Sequence, residues 1–203
     1  MSIDRILLAT GNSGKLAEMR ELVGELPFTI LSLADFPYVS EVAETGSTFA
    51  ENALLKARGY AEMTGVATLA DDSGLAVTAL GGRPGVLSAR FGGDVDFHQK
   101  MRLLLNELEA AETSDRSAQF ICSMALALPN GEILCLAESA CSGRLADKPS
   151  GDNGFGYDPI FIPDGFERSF GELSPDVKAA ISHRRRAMDI IIRYLQDNMP
   201  VPT

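Results

Sequence analysis

The sequence predicts an α/β protein with a mixed sheet, and three observations support this class. Apolar residues make up 45% of the 203 residues, which is enough for a substantial core. Short apolar runs typical of strands interleave with segments whose apolar residues recur at helical spacing. Two strand-like runs flank the turn signal Pro129-Asn130-Gly131, so this pair is expected to be an antiparallel hairpin.

The chain is predicted to begin with the order strand, loop, helix. The run RILLA (5–9) indicates a buried strand, TGNSGK (10–15) a loop, and residues 16–22 a helix. Further strands are predicted over residues 28–33, 66–70, 119–128, 132–137 and 159–162. Further helices are predicted after a capping box of Thr48 and Glu51, over residues 96–108, and from a cap at Ser182 through residue 195. No repeat or linker is visible, so residues 1–203 are expected to form one domain.

Composition excludes several classes of function. The chain has 18 Lys and Arg against 28 Asp and Glu, a formal net charge of -10, which disfavours binding to a nucleic-acid backbone. Three cysteines without a CxxC pair indicate a reduced, cytoplasmic compartment. Neither an export signal nor an apolar run of membrane-spanning length is present, so no membrane association is expected.

The loop over residues 10–15 is a candidate phosphate site. A helix that follows a Gly-containing loop offers unpaired NH groups and a partial positive charge, and Lys15 adds a full charge. The P-loop pattern is not met, because Ala9 stands at its first Gly and Leu16 at its Ser or Thr. A phosphate loop and an ordinary tight turn both remain open from this segment alone.

Two adjacent carboxylates, Asp71 and Asp72, follow the apolar run 66–70 and are predicted to lie at a strand end, where ligands approach open α/β sheets. With a distant Glu44 they would offer hard oxygen ligands for Mg²⁺ and a base for water. Asn52 and Lys56 are four residues apart and share a helix face. The alternative for the two aspartates is a polar turn.

The segment GDNGFGYDP (151–159) combines glycines with Phe155 and Tyr157, which suits close approach to a ligand and stacking on one base. His183 and Arg184 begin the last predicted helix and offer donors to a base. Clustered cations are unfavourable at a helix start, which favours a bound anionic or carbonyl-rich ligand there. Core aromatics and a solvated helix start are the alternatives. No serine triad or zinc-site spacing is legible.

Five segments in this order resemble the inosine triphosphate pyrophosphatase family, the non-canonical purine triphosphate pyrophosphatases. They are LLATGNSGK (7–15), ETGSTFAENALLKA (44–57), ADDSGLAVTALGGRPGVLSARF (70–91), GDNGFGYDPIF (151–161) and KAAISHRRRA (178–187). The resemblance implies an elongated mixed sheet with flanking helices and two lobes around a substrate cleft. It also implies a Mg²⁺-dependent homodimer that hydrolyses ITP, dITP and XTP to the monophosphate and pyrophosphate, keeping deaminated purines out of DNA and RNA.

The resemblance also implies roles for single residues. Glu44 and Asp72 would bind Mg²⁺, Asp72 would accept the proton from water, and Asp71 would assist. The residues implied to hold the triphosphate are Thr10, Gly11, Asn12, Ser13, Gly14, Lys15 and Lys56. The residues implied to touch the rest of the substrate, mainly its nucleoside, are Ser73, Phe155, Gly156, Tyr157, Asp158, Lys178, His183 and Arg184.

Two alternatives compete with this interpretation. A Maf-like pyrophosphatase on a similar fold would have another base preference, and the SHR and GFGYDP segments favour the purine family instead. A nucleotide-binding module without catalysis would need no base beside a metal site, so Glu44, Asp71 and Asp72 disfavour it.

Overall fold

The computed structural model describes residues 3–24 and 26–198. Its strands are β1 (Arg5–Leu8), β2 (Thr29–Ser32), β3 (Ala67–Val77), β4 (Ser117–Ala127), β5 (Ile133–Leu145) and β6 (Phe161–Pro163). Its helices are α1 (Ser13–Val23), α2 (Phe49–Thr64), α3 (Phe97–Ala110), α4 (Pro175–Ile181) and α5 (His183–Asn198). None of the helices in the described part of the chain is long and apolar enough to cross a membrane.

The strands form one six-stranded sheet in the order β2-β1-β3-β4-β5-β6. Strand β1 pairs in parallel with both β2 and β3, whereas β5 and β6 are antiparallel. The predicted mixed α/β class is therefore confirmed. The chain divides into two compact units, which share strands β3, β4 and β5.

The first unit comprises Met1–Asp72, Cys122–Ser139 and Arg184–Thr203. Alternate residues of β1 enter different apolar clusters, because successive strand side chains point to opposite faces. Ile6 and Leu8 pack with residues of α1 and α5, including Met19 and Ile191. Leu7 packs with residues of α2 in a second cluster. Helices α1 and α5 therefore cover one face of this part of the sheet, and α2 covers the other.

The second unit comprises Ser73–Ile121 and Ala140–His183. One face of α3 packs into its core, because buried apolar residues such as Met101, Leu104 and Leu108 recur at helical spacing. Within this core Phe120 stacks on Phe170 and contacts Phe161 in a tilted arrangement. Tyr157 of the sequence motif GFGYDP belongs to the same apolar cluster.

Two sequence predictions are corrected by the structure, and one helix was missed. Strand β3 continues to Val77, so Asp71 and Asp72 lie in its middle and not at a strand end or in a turn. The phosphate loop is shorter than predicted, because the Asn12 side chain accepts a hydrogen bond from the Lys15 amide at 3.0 Å and α1 starts at Ser13. Helix α4 was not predicted.

The predicted capping box at the start of α2 is only partly as expected. The Thr48 hydroxyl accepts from the Glu51 amide at 3.1 Å, as the pattern indicates. The Glu51 carboxylate instead accepts from the amide and the hydroxyl of Ser47, at 2.6 and 2.8 Å. The reciprocal bond is thus made one residue before the cap.

Candidate active site

Asp71 faces the side of the sheet covered by α1 and α5. Its side chain is fully buried, with Lys15 Nζ 3.1 Å and Arg184 Nε 3.5 Å from its Oδ2 atom. Burial alone would raise the pKa of Asp71, but the charges of Lys15, Arg184 and Lys56 outweigh it and hold that pKa well below its usual range. Asp71 therefore stays ionised at all physiological pH values.

Arg184 is 1% exposed and is the second residue of α5, beside this carboxylate. Its Nη1 atom donates to the Glu18 carboxylate of α1. Burial works against the charged form, but Asp71 and Glu18 raise the pKa of Arg184 above its ordinary value. The sequence argument that clustered cations at this helix start favour a bound ligand is therefore weakened for Arg184, because Asp71 and Glu18 of the protein itself stabilise its charge.

Asp72 points to the opposite face of the sheet, toward α2. Asn52 Nδ2 donates to Asp72 Oδ2 at 2.9 Å, and Lys56 Nζ lies 4.0 Å from Asp72 Oδ1. Burial raises the pKa of Asp72 above its ordinary value, although Lys56 and Asn52 act in the other direction. The prediction that Asn52 and Lys56 share a face is confirmed, since both contact this carboxylate.

Glu44 joins this group through Lys56. Lys56 Nζ donates to Glu44 Oε1 at 2.5 Å, so the lysine lies beside two carboxylates. Burial opposes the charged amine, but Asp71, Asp72 and Glu44 raise the pKa of Lys56 above its ordinary value. Lysine is seldom buried unless paired, and here it is 9% exposed.

The segment after Glu44 is held by Asn52. The Gly46 amide donates to Asn52 Oδ1 at 2.7 Å, while Asn52 Nδ2 binds Asp72, so both ends of the amide are fixed. A Cβ atom at Gly46 would lie 2.6 Å from Glu51 Cβ and 2.7 Å from Asn52 Oδ1, which requires glycine. Helix α2 thus positions Glu44 and Asp72 together.

The donor set fits Mg²⁺. Glu44 and Asp72 offer carboxylate oxygens beside the same Lys56 amine, and Mg²⁺ is commonly bound by one or two carboxylates plus waters and substrate phosphates. No group of three or more His, Cys, Asp or Glu residues that could hold a metal occurs among the described residues. Glu44 and Asp72 are therefore the candidate protein ligands for a Mg²⁺ ion.

The residues predicted to hold the triphosphate surround the start of α1. Asn12 Oδ1 caps this helix, and the Asn12 amide donates to Thr10 Oγ1 at 3.2 Å. Ser13 and Gly14 form its first turn with Lys15, where backbone NH groups favour anions. Lys15 contacts Asp71 on the same unit. The predicted phosphate-binding residue Lys15 is therefore adjacent to the buried Asp71.

Three predicted nucleoside residues of the second unit, Phe155, Asp158 and Lys178, contact one another. We call residues 150–159, which include Phe155, Gly156, Tyr157 and Asp158, the nucleoside loop. Asp158 Oδ2 accepts from the Phe155 amide at 2.7 Å and from Lys178 Nζ at 2.5 Å. Lys178 Nζ also lies 4.4 Å from the centroid of the Phe155 ring. The Tyr157 hydroxyl donates to the Ser88 carbonyl at 3.0 Å, and its burial raises the pKa of Tyr157.

His183 and Ser73 complete the predicted set. The His183 ring is 4% exposed and stacks on Phe120, with centroids 4.9 Å apart. Ser73 follows Asp72 in β3, and Gly74 comes next because its Cα approaches Ser88 too closely for a side chain. His183 belongs to the second unit, whereas Arg184 belongs to the first.

A model of the Ham1 family matches residues 6–194. The chain belongs to the Ham1 family. Among its relatives, a dITP/XTP pyrophosphatase of Bacillus cereus is 42% identical over 201 residues, which cover 98% of this chain and 96% of the relative. Another dITP/XTP pyrophosphatase, of Geobacillus kaustophilus, is 45% identical over 184 residues, 90% of each chain.

Solved structures of Ham1 proteins share the fold. A HAM1 protein from Coxiella burnetii matches with a TM-score of 0.88 at 43% identity, covering 97% of this chain and 100% of the other. A nucleoside-triphosphatase, dITP/XTP pyrophosphatase, from Mycobacterium abscessus matches with a TM-score of 0.76 at 46% identity, covering 92% and 98%. The resemblance drawn from the sequence is thereby confirmed, and it favours the purine enzymes over the Maf-like alternative.

Sequence reasoning missed three residues whose side chains contact predicted site residues. Glu18, which binds Arg184, lies three residues after Lys15 on α1, so helical spacing alone could have placed it on the same face. Asn52 was assigned to a face but not to a role. Phe120, which stacks on His183, gave no local signal, because it is one apolar residue of a strand.

Proposed function

We propose that this Ham1 protein hydrolyses non-canonical purine nucleoside triphosphates, such as ITP, dITP and XTP, to the nucleoside monophosphate and pyrophosphate. The observation that carries the proposal is that the Asp71 and Asp72 side chains have different surroundings on opposite faces of β3. One carboxylate is fixed between cations on one face of β3, and the other lies beside Lys56 and Glu44 on the opposite face. The names of the dITP/XTP pyrophosphatases to which the chain is similar support the same reaction.

The phosphate end of the substrate is assigned to the first unit. The start of α1, over residues 10–15, offers NH groups and the Lys15 charge, and Lys56 offers a second cation from α2. Hydrolysis at phosphorus needs positioning and charge stabilisation more than covalent catalysis, so cations near the phosphates suffice. No nucleophilic Ser or Cys is required.

Glu44 and Asp72 would hold the metal. Bound Mg²⁺ would offset negative charge on the phosphate oxygens and on the departing pyrophosphate. Lys56, which contacts both carboxylates, would then be left to bind a phosphate oxygen. The Mg²⁺ dependence of the reaction is part of the proposal.

Asp72 is the better general base of the two aspartates. A base must accept a proton from water, and Lys15 and Arg184 hold the pKa of Asp71 so low that it is a poor acceptor. Asp72 has a raised pKa and lies on the face of Glu44 and Lys56. We therefore assign proton removal from the attacking water to Asp72, and to Asp71 the placement of Lys15.

The nucleoside is assigned to residues of the second unit. Phe155 offers a face for stacking, and Lys178 and His183 offer donors for the oxygen at C6 of hypoxanthine or xanthine. Adenine carries an amino group at C6, which would face other donors and be rejected. Arg184 stays a predicted nucleoside residue, but its guanidinium is held by Asp71 and Glu18.

A homodimer working in the cytoplasm completes the proposal. The dimer comes from the family resemblance alone, and the compartment rests on the cysteine usage noted above. Sedimentation of the purified protein at several concentrations would measure its oligomeric state directly.

A panel of nucleoside triphosphates with Mg²⁺ tests the proposed function. ITP, XTP and dITP should be hydrolysed at least about tenfold more efficiently than ATP, and chelation of the metal should abolish turnover. Chromatography of the products should show IMP and pyrophosphate from ITP. Release of IDP and orthophosphate, or equal rates on all triphosphates, would contradict the proposal.

Lys15→Ala and His183→Phe are expected to separate phosphate binding from base recognition. Lys15→Ala should lower kcat/KM on every triphosphate alike, since all carry the same phosphates. His183→Phe keeps the stack on Phe120 but removes the donor, so kcat/KM should fall about tenfold on ITP and XTP and little on ATP. Equal losses on all substrates in the His183 variant would show that this residue does not read the base.

A further inference from the structure

The nucleoside loop contacts residues 169–173, a segment to which the proposed mechanism gives no role. Four hydrogen bonds join the two. The Ser169 hydroxyl donates to the Ser150 carbonyl at 2.7 Å, and the Asn153 amide donates to the Gly171 carbonyl at 2.9 Å. The Gly171 amide donates to the Asp158 carbonyl at 3.1 Å, and Asn153 Nδ2 donates to the Leu173 carbonyl at 2.9 Å. The loop is thus held at its beginning, its middle and its end.

The two backbones are in direct contact. A Cβ atom at Gly171 would lie 2.5 Å from the Ser150 carbonyl oxygen and 2.9 Å from Pro159 Cα. A Cβ atom at Gly151 would overlap the backbone of Gly171. Glycine is therefore required on both sides, and the contact leaves no room for the loop to shift toward residues 169–173.

Ser169 is the anchor of this contact. It is 1% exposed, and its amide donates to the Glu172 carboxylate at 3.1 Å, which closes the turn of residues 169–172. Its hydroxyl has a single proton, and the 2.7 Å bond to Ser150 is shorter than the 3.3 Å approach to Glu172. The Ser169 proton is accordingly directed to the loop.

The same segment leads into α4, which carries the partner of Asp158. Leu173 is followed within two residues by the start of α4, and Lys178 on that helix donates to Asp158 of the loop. Residues 169–173 thus fix both members of the Asp158–Lys178 pair, one through hydrogen bonds and the other through the chain.

We propose that residues 169–173 are a positioning element for the nucleoside loop. Ser169 is its positioning residue, and Asn153 is the loop residue whose side chain binds to it. The inference rests on the proposed function, since it assumes that this loop holds the nucleoside. Loss of either side-chain bond should loosen the loop and weaken nucleoside binding, while the phosphate-binding residues of the first unit keep their contacts.

Ser169→Ala and Asn153→Ala test the proposal, with Ser142→Ala as a control because Ser142 is exposed in the same unit and its side chain makes no bond to the loop. Calorimetry should show IMP binding weakened about fivefold to tenfold in each test variant. Binding of inorganic pyrophosphate should stay within about twofold of wild type. Asn153 is exposed, so its variant provides the test if Ser169→Ala does not fold.

Hydrogen exchange gives a second measurement that does not depend on the substrate. In both test variants the amides of Asn153 and Gly171 should lose protection, and peptides from β1 should not. If the wild-type protein neither hydrolyses ITP nor binds IMP, the proposed function fails and exchange alone decides on the positioning element. Unchanged exchange in the loop, or equal weakening of IMP and pyrophosphate, would overturn the inference.

Discussion

Asp72→Asn is expected to lower kcat for ITP by about 10²-fold or more, because the variant keeps the shape of the side chain but loses the base. Asn52 and Lys56 surround Asp72 and remain in place, so the fold should survive. Turnover at saturating ITP and Mg²⁺ measures the effect, and thermal unfolding verifies the fold.

Asp164→Asn is the matched control, because Asp164 is exposed in the second unit and should keep wild-type turnover. A near-normal kcat for Asp72→Asn would show that another group removes the proton. An equal loss in the control would mean that the assay does not report on the base.

Asp71→Asn is expected to destabilise the protein by about 3–5 kcal/mol at neutral pH, because it leaves the cations of Arg184 and Lys15 without their buried counter-charge. Urea unfolding at pH 7 measures the difference in the free energy of unfolding. The double variant Asp71→Asn with Arg184→Met should recover part of the loss, since it removes a buried charge together with its partner. A loss below about 1 kcal/mol would contradict the role given to this carboxylate.

The pH dependence of this effect follows from the sign of the pKa shift. The folded-state pKa of Asp71 is depressed, so its contribution is fully present above the ordinary pKa of about 3.9. It is lost as the pH falls from there toward the folded-state pKa. The stability gap between wild type and Asp71→Asn should therefore narrow in acid, and a gap that widens as the pH falls would be inconsistent with this assignment.

Local patterns predicted the parts of the fold whose cause is local. The hairpin at Pro129-Asn130-Gly131, the cap at Thr48 and the amphipathic helix α3 all follow from turn chemistry or helical spacing. Helix α1 was started three residues late, because the sequence does not tell whether Ser13 and Gly14 are loop or first turn. Boundaries of this kind depend on which capping bond forms.

The middle of β3 was mispredicted for a non-local reason. Two adjacent aspartates normally break a strand, so the sequence alone indicated that the strand ends at Ala70. Here Asp71 is stabilised by Arg184, which lies 113 positions later in the sequence, and Asp72 is stabilised by residues of α2. Because successive side chains of a strand point to opposite faces, the two neighbouring carboxylates have different partners. Asp71 contacts residues of α1 and α5, and Asp72 contacts residues of α2.

The candidate site was predicted largely through motifs whose combination resembled one family, and the family match confirms that resemblance. The roles of single residues were harder to predict from the sequence, and Arg184 is an example. A cation at a helix start implied an external ligand, yet Glu18 supplied the carboxylate from 166 positions away. Charge balance in a buried site depends on partners that spacing cannot reveal.

The most direct test of the central claim is to follow heavy oxygen from labelled water during hydrolysis of ITP. Attack on the α-phosphorus, with Asp72 removing the proton and pyrophosphate leaving, places the label in IMP and none in pyrophosphate. Mass spectrometry of the separated products measures this in a single turnover. Label in pyrophosphate or orthophosphate would contradict the account, because it would place the attack on another phosphorus.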